Sequence, residues 1–235
     1  MTTLLRAVID GSGLSRRKAF AAIRDGRVRS GRFTLTEPSV EYNGEPLSLD
    51  GQPLGRGAAE KVYLLLNKPP GCVTTASDER GRSTVFDFVP APLRASGLHA
   101  VGRLDLDTSG LLILTNDGDL TYHLTHPSNE VDKEYWVGLF EVPTDDVLNT
   151  VWQGVVVDGE LRQPLEMERL RGHEPFHVSI SIGEGRKRQV RRMFELAGAR
   201  VRHLRRVREG KLRLGNLPEG KTRRLTEAEV NLLQG

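Results

Sequence analysis

His99-Ala-Val-Gly-Arg-Leu-Asp-Leu-Asp-Thr-Ser-Gly-Leu-Leu-Ile-Leu-Thr-Asn-Asp-Gly118 is the stretch on which the fold turns. Leu111–Leu114 is an unbroken apolar run, bounded by Gly110 and by the turn signal Asn116-Asp117-Gly118, and it predicts a buried strand. The charged segment Gly102–Thr108 feeds that strand. Polar loop residues held by a rigid strand are a common way to build an active site, and Asp105 is the candidate here. Asp and Gly beside a strand end also serve plain turn chemistry, so the stretch alone leaves both readings open.

Outward from this stretch, Lys61-Val-Tyr-Leu-Leu-Leu-Asn67 reads as a central strand buried on both faces and stopped by Lys68-Pro-Pro-Gly71. Val73–Thr75 is extended, and Ser83 or Thr84 starts a helical turn through Phe88. A short helix over Asp119–Leu124 ends at His126-Pro127. Lys133–Leu139 is a strand with Tyr135 and Val137 on one face. Thr144 caps a helix over Asp145–Val151, and Val155–Val157 leads to the Asp158-Gly159 turn. Leu165–Leu170 and His177–Ile182 form an antiparallel pair. Val190, Met193, Phe194 and Ala197 fall at helical spacing within Gln189–Ala197, with Arg191 and Arg192 opposite and Gly198 ending the helix. Strands outnumber helices at separations that favour antiparallel pairing. The expected class is α+β, with a mixed, mostly antiparallel sheet and flanking helices.

The N-terminal portion reads as a separate module. Thr2 or Thr3 caps a helix through about Asp10, and Gly11-Ser-Gly13 ends it. Ser15 caps a second helix, Arg16–Arg24, with Ala19, Phe20, Ala22 and Ile23 inward and Gly26 in the left-handed position. Arg27–Arg29, Phe33–Leu35 and Pro46–Asp50 supply short strands. Gly51–Glu60, rich in Gly, Pro and Ala, reads as a linker. The expected organisation is therefore a module over 1–50, a linker over 51–60 and a larger domain over 61–235.

Composition excludes several classes. The 235 residues contain a single cysteine, Cys72, so neither a disulfide framework nor a multi-cysteine zinc site is expected. No apolar run approaches the ~18 residues of a membrane span, and the N-terminus lacks a secretory signal, which makes the cytoplasm the simplest location. No GxxxxGK[ST] or GxGxxG loop is present, so no nucleotide cofactor is expected. His123 and His126 lack a third ligand of matching style; a structural or RNA-contacting role is preferred to metal binding.

The net charge of +3 conceals two basic blocks. Arg186–Arg208 holds ten Lys and Arg against one acid, Glu195, and Arg16–Arg32 holds seven against Asp25. Arg predominates in both, and its two-pronged face grips phosphate and stacks on bases. The expected partner is a polyphosphate chain.

Gly13-Leu-Ser-Arg-Arg-Lys-Ala19, Ile23-Arg-Asp-Gly-Arg-Val-Arg29 and Gly31 resemble the S4 RNA-binding domain, with Ser30-Gly31 where that family usually has Asn-Gly. The resemblance implies that Ser15, Arg16, Arg17, Arg27 and Arg29 line an RNA-gripping face. The larger domain resembles the RNA pseudouridine synthases, in the branch that modifies ribosomal RNA and carries an S4 domain. The motifs are Leu66-Asn-Lys-Pro-Pro-Gly71, Gly102-Arg-Leu-Asp-Leu-Asp-Thr-Ser-Gly-Leu-Leu112, Leu124-Thr-His-Pro127, Lys133-Glu-Tyr135, Glu184-Gly-Arg-Lys-Arg-Gln-Val-Arg-Arg-Met-Phe194 and Leu225-Thr-Glu-Ala-Glu-Val230.

The resemblance implies detachment of uracil from its ribose, rotation, and rejoining through carbon, with no cofactor and no metal. The family's aspartate maps onto Asp105, acting as nucleophile on ribose or base, or assisting glycosidic cleavage and proton removal. Its basic partner maps onto Arg186, its base-stacking tyrosine onto Tyr135, its gap-filling residue onto Arg103, and an apolar residue under the base onto Ile182. Lys68, Arg188, Gln189, Arg191 and Arg192 are the accompanying substrate-binding residues. Asp107 reads as loop architecture. The expected partner is ribosomal RNA or a ribosomal assembly intermediate, engaged by a monomer, with a lean to the large-subunit RNA. A small-subunit target, transfer RNA, and a non-catalytic ribosome-assembly factor are the alternatives.

Overall fold

The computed structural model describes residues 2–55, 60–94 and 96–234. The chain divides into two compact units, one of residues 1–62 with 93–98, the other of residues 63–92 with 99–235. Residues 56–59 of the expected linker lie outside the described residues. Its opening is not linker, because Gln52–Pro53 pairs as a strand.

In the first unit, β1 (Thr2–Thr3) leads into α1 (Leu4–Ser12) and α2 (Arg16–Arg24). Thr3 and Ser15 cap these helices by accepting the backbone N–H groups of Arg6 and Lys18, which satisfies donors that a helix start leaves orphaned. Gly26 takes the left-handed conformation (φ +70°) that ends α2 and sends the chain into β2 (Val28–Ser30). β3 (Phe33–Leu35) and β5 (Leu47–Leu49) flank β2, β6 (Gln52–Pro53) pairs β5, and β4 (Glu41–Tyr42) pairs β1. Leu4, Leu5, Val8, Ala19, Ala22, Ile23, Val28 and Leu47 form the core. Phe20 departs from expectation: it is exposed, on the arginine side of α2.

The second unit is built on a sheet with the strand order β13–β14–β10–β15–β9–β7–β17. The strands are β7 (Tyr63–Lys68), β9 (Ser109–Thr115), β10 (Lys133–Leu139), β13 (Glu166–Arg169), β14 (Val178–Ile182), β15 (Val201–Glu209) and β17 (Thr222–Arg224), with β8 (His99–Ala100) and β16 (Leu212–Arg213) pairing β9 and β15. All neighbours are antiparallel except β9 and β15, which run parallel. α3 (Gly118–Thr125), capped by Asp117, and α6 (Glu227–Gln234) cover the face carrying Leu65, Leu111 and Ile113. α4 (Asp145–Gln153), the hairpin β11 (Val155–Val157) and β12 (Glu160–Arg162), and α5 (Gln189–Leu196) complete the unit. The turn over Val85–Phe88 is 3-10 helix, closed by a Thr84–Asp87 capping box. The mixed, mostly antiparallel sheet with flanking helices is as expected. β15, β16, β17 and α6 are elements that the local pattern did not announce.

Candidate active site

A cavity of about 410 Å³ opens in the second unit. The loop ahead of β9 supplies Arg103 and Asp105, β10 supplies Lys133 and Tyr135, and the end of β14 supplies Ile182. The turn into α5 adds Arg186, Arg188 and Gln189, and β15 adds Leu204, Arg206 and Glu209.

Strand pleating explains most of this assembly. Tyr135 and Lys133 lie two apart on β10 and share a face, and Ile182 pairs with Lys133 across the sheet. On the other side of β10, Tyr135 pairs with Arg206, Glu134 with Arg208 and Lys133 with Glu209, with a register shift between Glu134 and Tyr135. That bulge at Val207 reverses the alternation of β15. Arg206 and Glu209, three apart, therefore face the cavity, while Arg208 turns to the other face and binds Asp132, Glu134 and Ser181.

Gly110 fixes how closely the two halves approach. It pairs with Arg206 across the parallel β9–β15 contact, and its φ is +107°. A Cβ there would stand 2.2 Å from the Arg206 carbonyl oxygen, so any side chain would force the strands apart. The loop carrying Asp105 and the strand carrying Arg206 are thus held together by backbone.

Lys68 holds the same loop from below. Its fully buried ammonium donates to the carbonyls of Pro69, Asp105 and Thr108 at 3.0, 3.2 and 2.9 Å. Lys68 is therefore not on the cavity wall as expected but a strut under the loop, and burial lowers its ammonium from the ordinary lysine range. The Asp105 carboxylate has no side-chain hydrogen bond or ion pair among the described residues. It is half-buried, and Arg188, Arg191 and Lys68 all feel its charge.

Arg186, expected to be the cation beside Asp105, has 64 % of its side chain exposed, and its ionic contacts are Glu184 at 3.7 Å and Glu160 at 3.9 Å. Arg188, which also lines the cavity, feels the charge of Asp105. It adopts a left-handed backbone (φ +53°) at the start of α5 and donates to both Asp107 oxygens at 2.9 and 3.1 Å. Arg191 does not face the cavity: its buried guanidinium donates to the carbonyls of Asp107 and Val201. Arg192 is likewise off the cavity, ion-paired with Asp158. Gln189 lines the cavity, but its amide binds Arg186 N–H and Glu184 and so holds the turn. Burial pushes the Asp107 carboxyl up. Its arginines more than offset this, and it titrates below the usual carboxylate range.

The floor joins Lys133 and Tyr135 to two groups that the motifs did not single out, Arg206 and Glu209. Tyr135 is 7 % exposed, and burial pushes its hydroxyl well above the usual phenol range, opposed by the adjoining Arg206. Arg206 donates through Nε to the Leu111 carbonyl at 2.8 Å, and its Nη2 stands 3.3 Å from Glu209 Oε2. Burial would lower Arg206; the Glu209 charge and Tyr135 together more than offset that and raise it. Lys133 donates to the Val131 carbonyl, and burial lowers its ammonium. Lys133 could have been suspected from the Lys-Glu-Tyr motif. Arg206 and Glu209 could not, because the bulge breaks the period that would mark them as one face.

In the first unit, Ser15 is a helix cap, with its hydroxyl engaged by Lys18 N–H. Arg16, Arg17, Arg27 and Arg29 are exposed. Arg27 is held by Asp50, and Arg29 Nε donates to Thr34 at 3.4 Å. Among the described residues no group of three or more His, Cys, Asp or Glu could hold a metal ion, and no helix is long and apolar enough to cross a membrane.

Comparison with known proteins identifies the scaffold. The chain is 37 % identical over 236 residues to the ribosomal large subunit pseudouridine synthase B of Bacillus subtilis, covering 98 % of this chain and 95 % of that protein. It is 34 % identical to the ribosomal small subunit pseudouridine synthase A of Haemophilus influenzae, covering 96 % and 97 %. A crystal structure of a pseudouridylate synthase superposes with a TM-score of 0.69 at 32 % identity, covering 99 % of this chain and all of that one. The profile of the RNA pseudouridylate synthases matches residues 62–196, the span that carries Asp105, Tyr135, Ile182 and Arg188, and the chain belongs to that family of enzymes.

Proposed function

We propose that this enzyme converts one specific uridine of ribosomal RNA to pseudouridine, with Asp105 as its catalytic carboxylate. The observation that carries the assignment is the Asp105 side chain itself. It is a half-buried carboxylate on the cavity wall, within reach of the charge of Arg188 and Arg191, yet no hydrogen bond or ion pair among the described residues engages it. A glycosidic bond buried in a base stack is out of reach, so the target nucleotide has to be extruded into the cavity. Tyr135 and Ile182 offer an aromatic and an apolar face for the uracil. In this reading Arg103, exposed on the same wall, occupies the vacated space, and Arg186 and Arg188 meet the flanking phosphates. Asp105 then acts on the ribose or the base as nucleophile, or assists cleavage and proton removal.

The N-terminal unit is proposed as an S4-like RNA-binding module whose Arg16 and Arg17 contact RNA backbone, and the enzyme as a cytoplasmic monomer. The relatives' names span both subunits; the wording of the Leu124-Thr-His-Pro127 and Glu184–Phe194 motifs favours the large-subunit RNA. Pseudouridine mapping of both ribosomal RNAs, with and without the gene, tests the activity and the target together. Complementation with Asp105→Asn is expected to restore RNA binding to within a few-fold but not the modification. Turnover by that variant would remove Asp105 from its role, and an unchanged map would leave a non-catalytic assembly factor.

A further inference from the structure

We propose that the end of the β10–β15 ladder, at Phe140, Arg200 and Arg202, is a second RNA-binding surface that takes a single-stranded segment of the substrate. This rests on the reading above that the substrate is RNA, and adds a contact outside the cavity. Phe140 follows the last residue of β10 and is 56 % exposed, although its side chain is large and apolar. The Arg200 guanidinium lies 4.9 Å from its ring centroid and that of Arg202 5.8 Å. Both arginines are exposed, and neither has an ion pair among the described residues. None of the three lines the cavity.

Backbone geometry gathers these groups. The Phe140 N–H donates to the Arg200 carbonyl at 3.1 Å, which ties the two residues together past the end of the ladder. A register shift leaves Arg202 without a partner on β10, because Val201 pairs with Leu139 and His203 with Gly138. Such a bulge re-aims a side chain, here toward the ring. Two like charges brought to one ring repel each other, and the ring stays in water, so the cluster does little for the fold. It suits a nucleic acid: a base stacks on the ring or on a guanidinium plane, while the guanidinium edges donate to phosphate. Glu141 and Glu174, exposed acids beside Phe140 and on the loop over Gly138, form no ion pair with either arginine among the described residues. The centre of a protein–protein contact is depleted of charge, whereas two cations sit at the centre here. A base inside a duplex hides both faces, so the ring favours unpaired RNA. At ~3.3 Å per residue Arg202 lies about 13 Å along β15 from Arg206 of the cavity, so one RNA molecule can span both.

The test uses the intact protein and two probes, a single-stranded oligouridylate and an RNA duplex of the same length. Arg200→Ala with Arg202→Ala is expected to flatten the dependence of log affinity for the single strand on log salt by about 1.4, at ~0.7 per phosphate contact. Phe140→Ala is expected to weaken single-strand binding roughly 5- to 100-fold at unchanged slope, the range for one stacked base, and to leave duplex binding within about twofold. Either effect missing overturns the proposal, including the case in which the patch captures a protein instead, and so does an equal loss on the duplex. If a variant does not fold, photo-crosslinking of wild type to 4-thiouridine-substituted oligouridylate decides: a crosslink on the peptide carrying Phe140 supports the surface, and its absence overturns it. Pseudouridine formed in ribosomal RNA by a protein whose variants bind as wild type rejects this inference alone. Weakened binding in the variants, with no pseudouridine formed by wild type, rejects the functional reading alone.

Discussion

The two arginine-rich blocks of this chain look alike as sequence and differ in space. In Arg16–Arg32 the side chains are exposed and few have anionic partners: Arg27 meets Asp50, and Arg24 approaches Glu37 at 3.8 Å. In Arg186–Arg208 most of the charge is answered from elsewhere in the chain. Arg188 and Arg191 meet Asp107, Arg192 meets Asp158, Arg206 meets Glu209, and Arg208 meets Asp132 and Glu134. Lys187, Arg200, Arg202 and Arg205 carry no ion pair among the described residues, and Arg200 and Arg202 lie over the Phe140 ring. A run of like charge therefore has two physical meanings. It is a surface waiting for an external anion, or one half of an internal network whose acids are distant in sequence. The second block was expected to hold an RNA backbone along its length; only its cavity-side and unpaired members remain available for that.

This contrast can be broken experimentally. The largest effect is expected from Arg206→Leu, which strands Glu209 in the interior. Denaturant unfolding should show a loss of about 3–5 kcal/mol, the scale for breaking a buried pair from one side; a loss under about 1 kcal/mol would mean the pair is not load-sharing in the fold. Next is Asp107→Asn. It frees Arg188 and Arg191 and is expected to slow single-turnover modification by roughly 10- to 100-fold through misplacement of the site. Stability should fall by only about 1 kcal/mol, because Asp107 is half exposed. The folded Asp107 carboxyl sits below its ordinary 3.8, so its stabilisation is complete above that value and is lost as pH falls through the lower folded pKa. The melting-temperature gap between wild type and Asp107→Asn should accordingly close in acid, and a gap independent of pH would contradict the charge assignment.

Smaller effects should separate the blocks. Arg16→Ala with Arg17→Ala is expected to leave stability within about 0.5 kcal/mol. The same pair should flatten the dependence of log affinity for ribosomal RNA on log salt by about 2. Arg192→Ala, whose charge already has Asp158, should change that slope by well under 1. Equal slopes for the two blocks would erase the distinction.

Local signals were enough for much of the scaffold. Ser15 and Gly26 mark both ends of α2, Thr144 marks the start of α4, and Lys133–Leu139 is a strand at the bounds its residues suggest. They failed where distant partners decide. Val201–Glu209 reads as a charged stretch and is instead an interior strand, because its arginines find acids and carbonyls across the sheet and its bulge destroys the alternation. Lys68 is expected among the substrate-binding residues, yet three carbonyls close around its ammonium. Asp105, Tyr135, Ile182 and Arg188 were nameable from motifs. Their convergence on one cavity needed the pairing of strands far apart in sequence.

Gly110 has a consequence for how tolerant this site is to change. Because a single missing methyl sets the spacing between β9 and β15, position 110 acts as a gauge for the width of the cavity between the Asp105 loop and β15. That spacing is written in backbone, in the contact of Gly110 with the Arg206 main chain, rather than in the side chains that line the cavity.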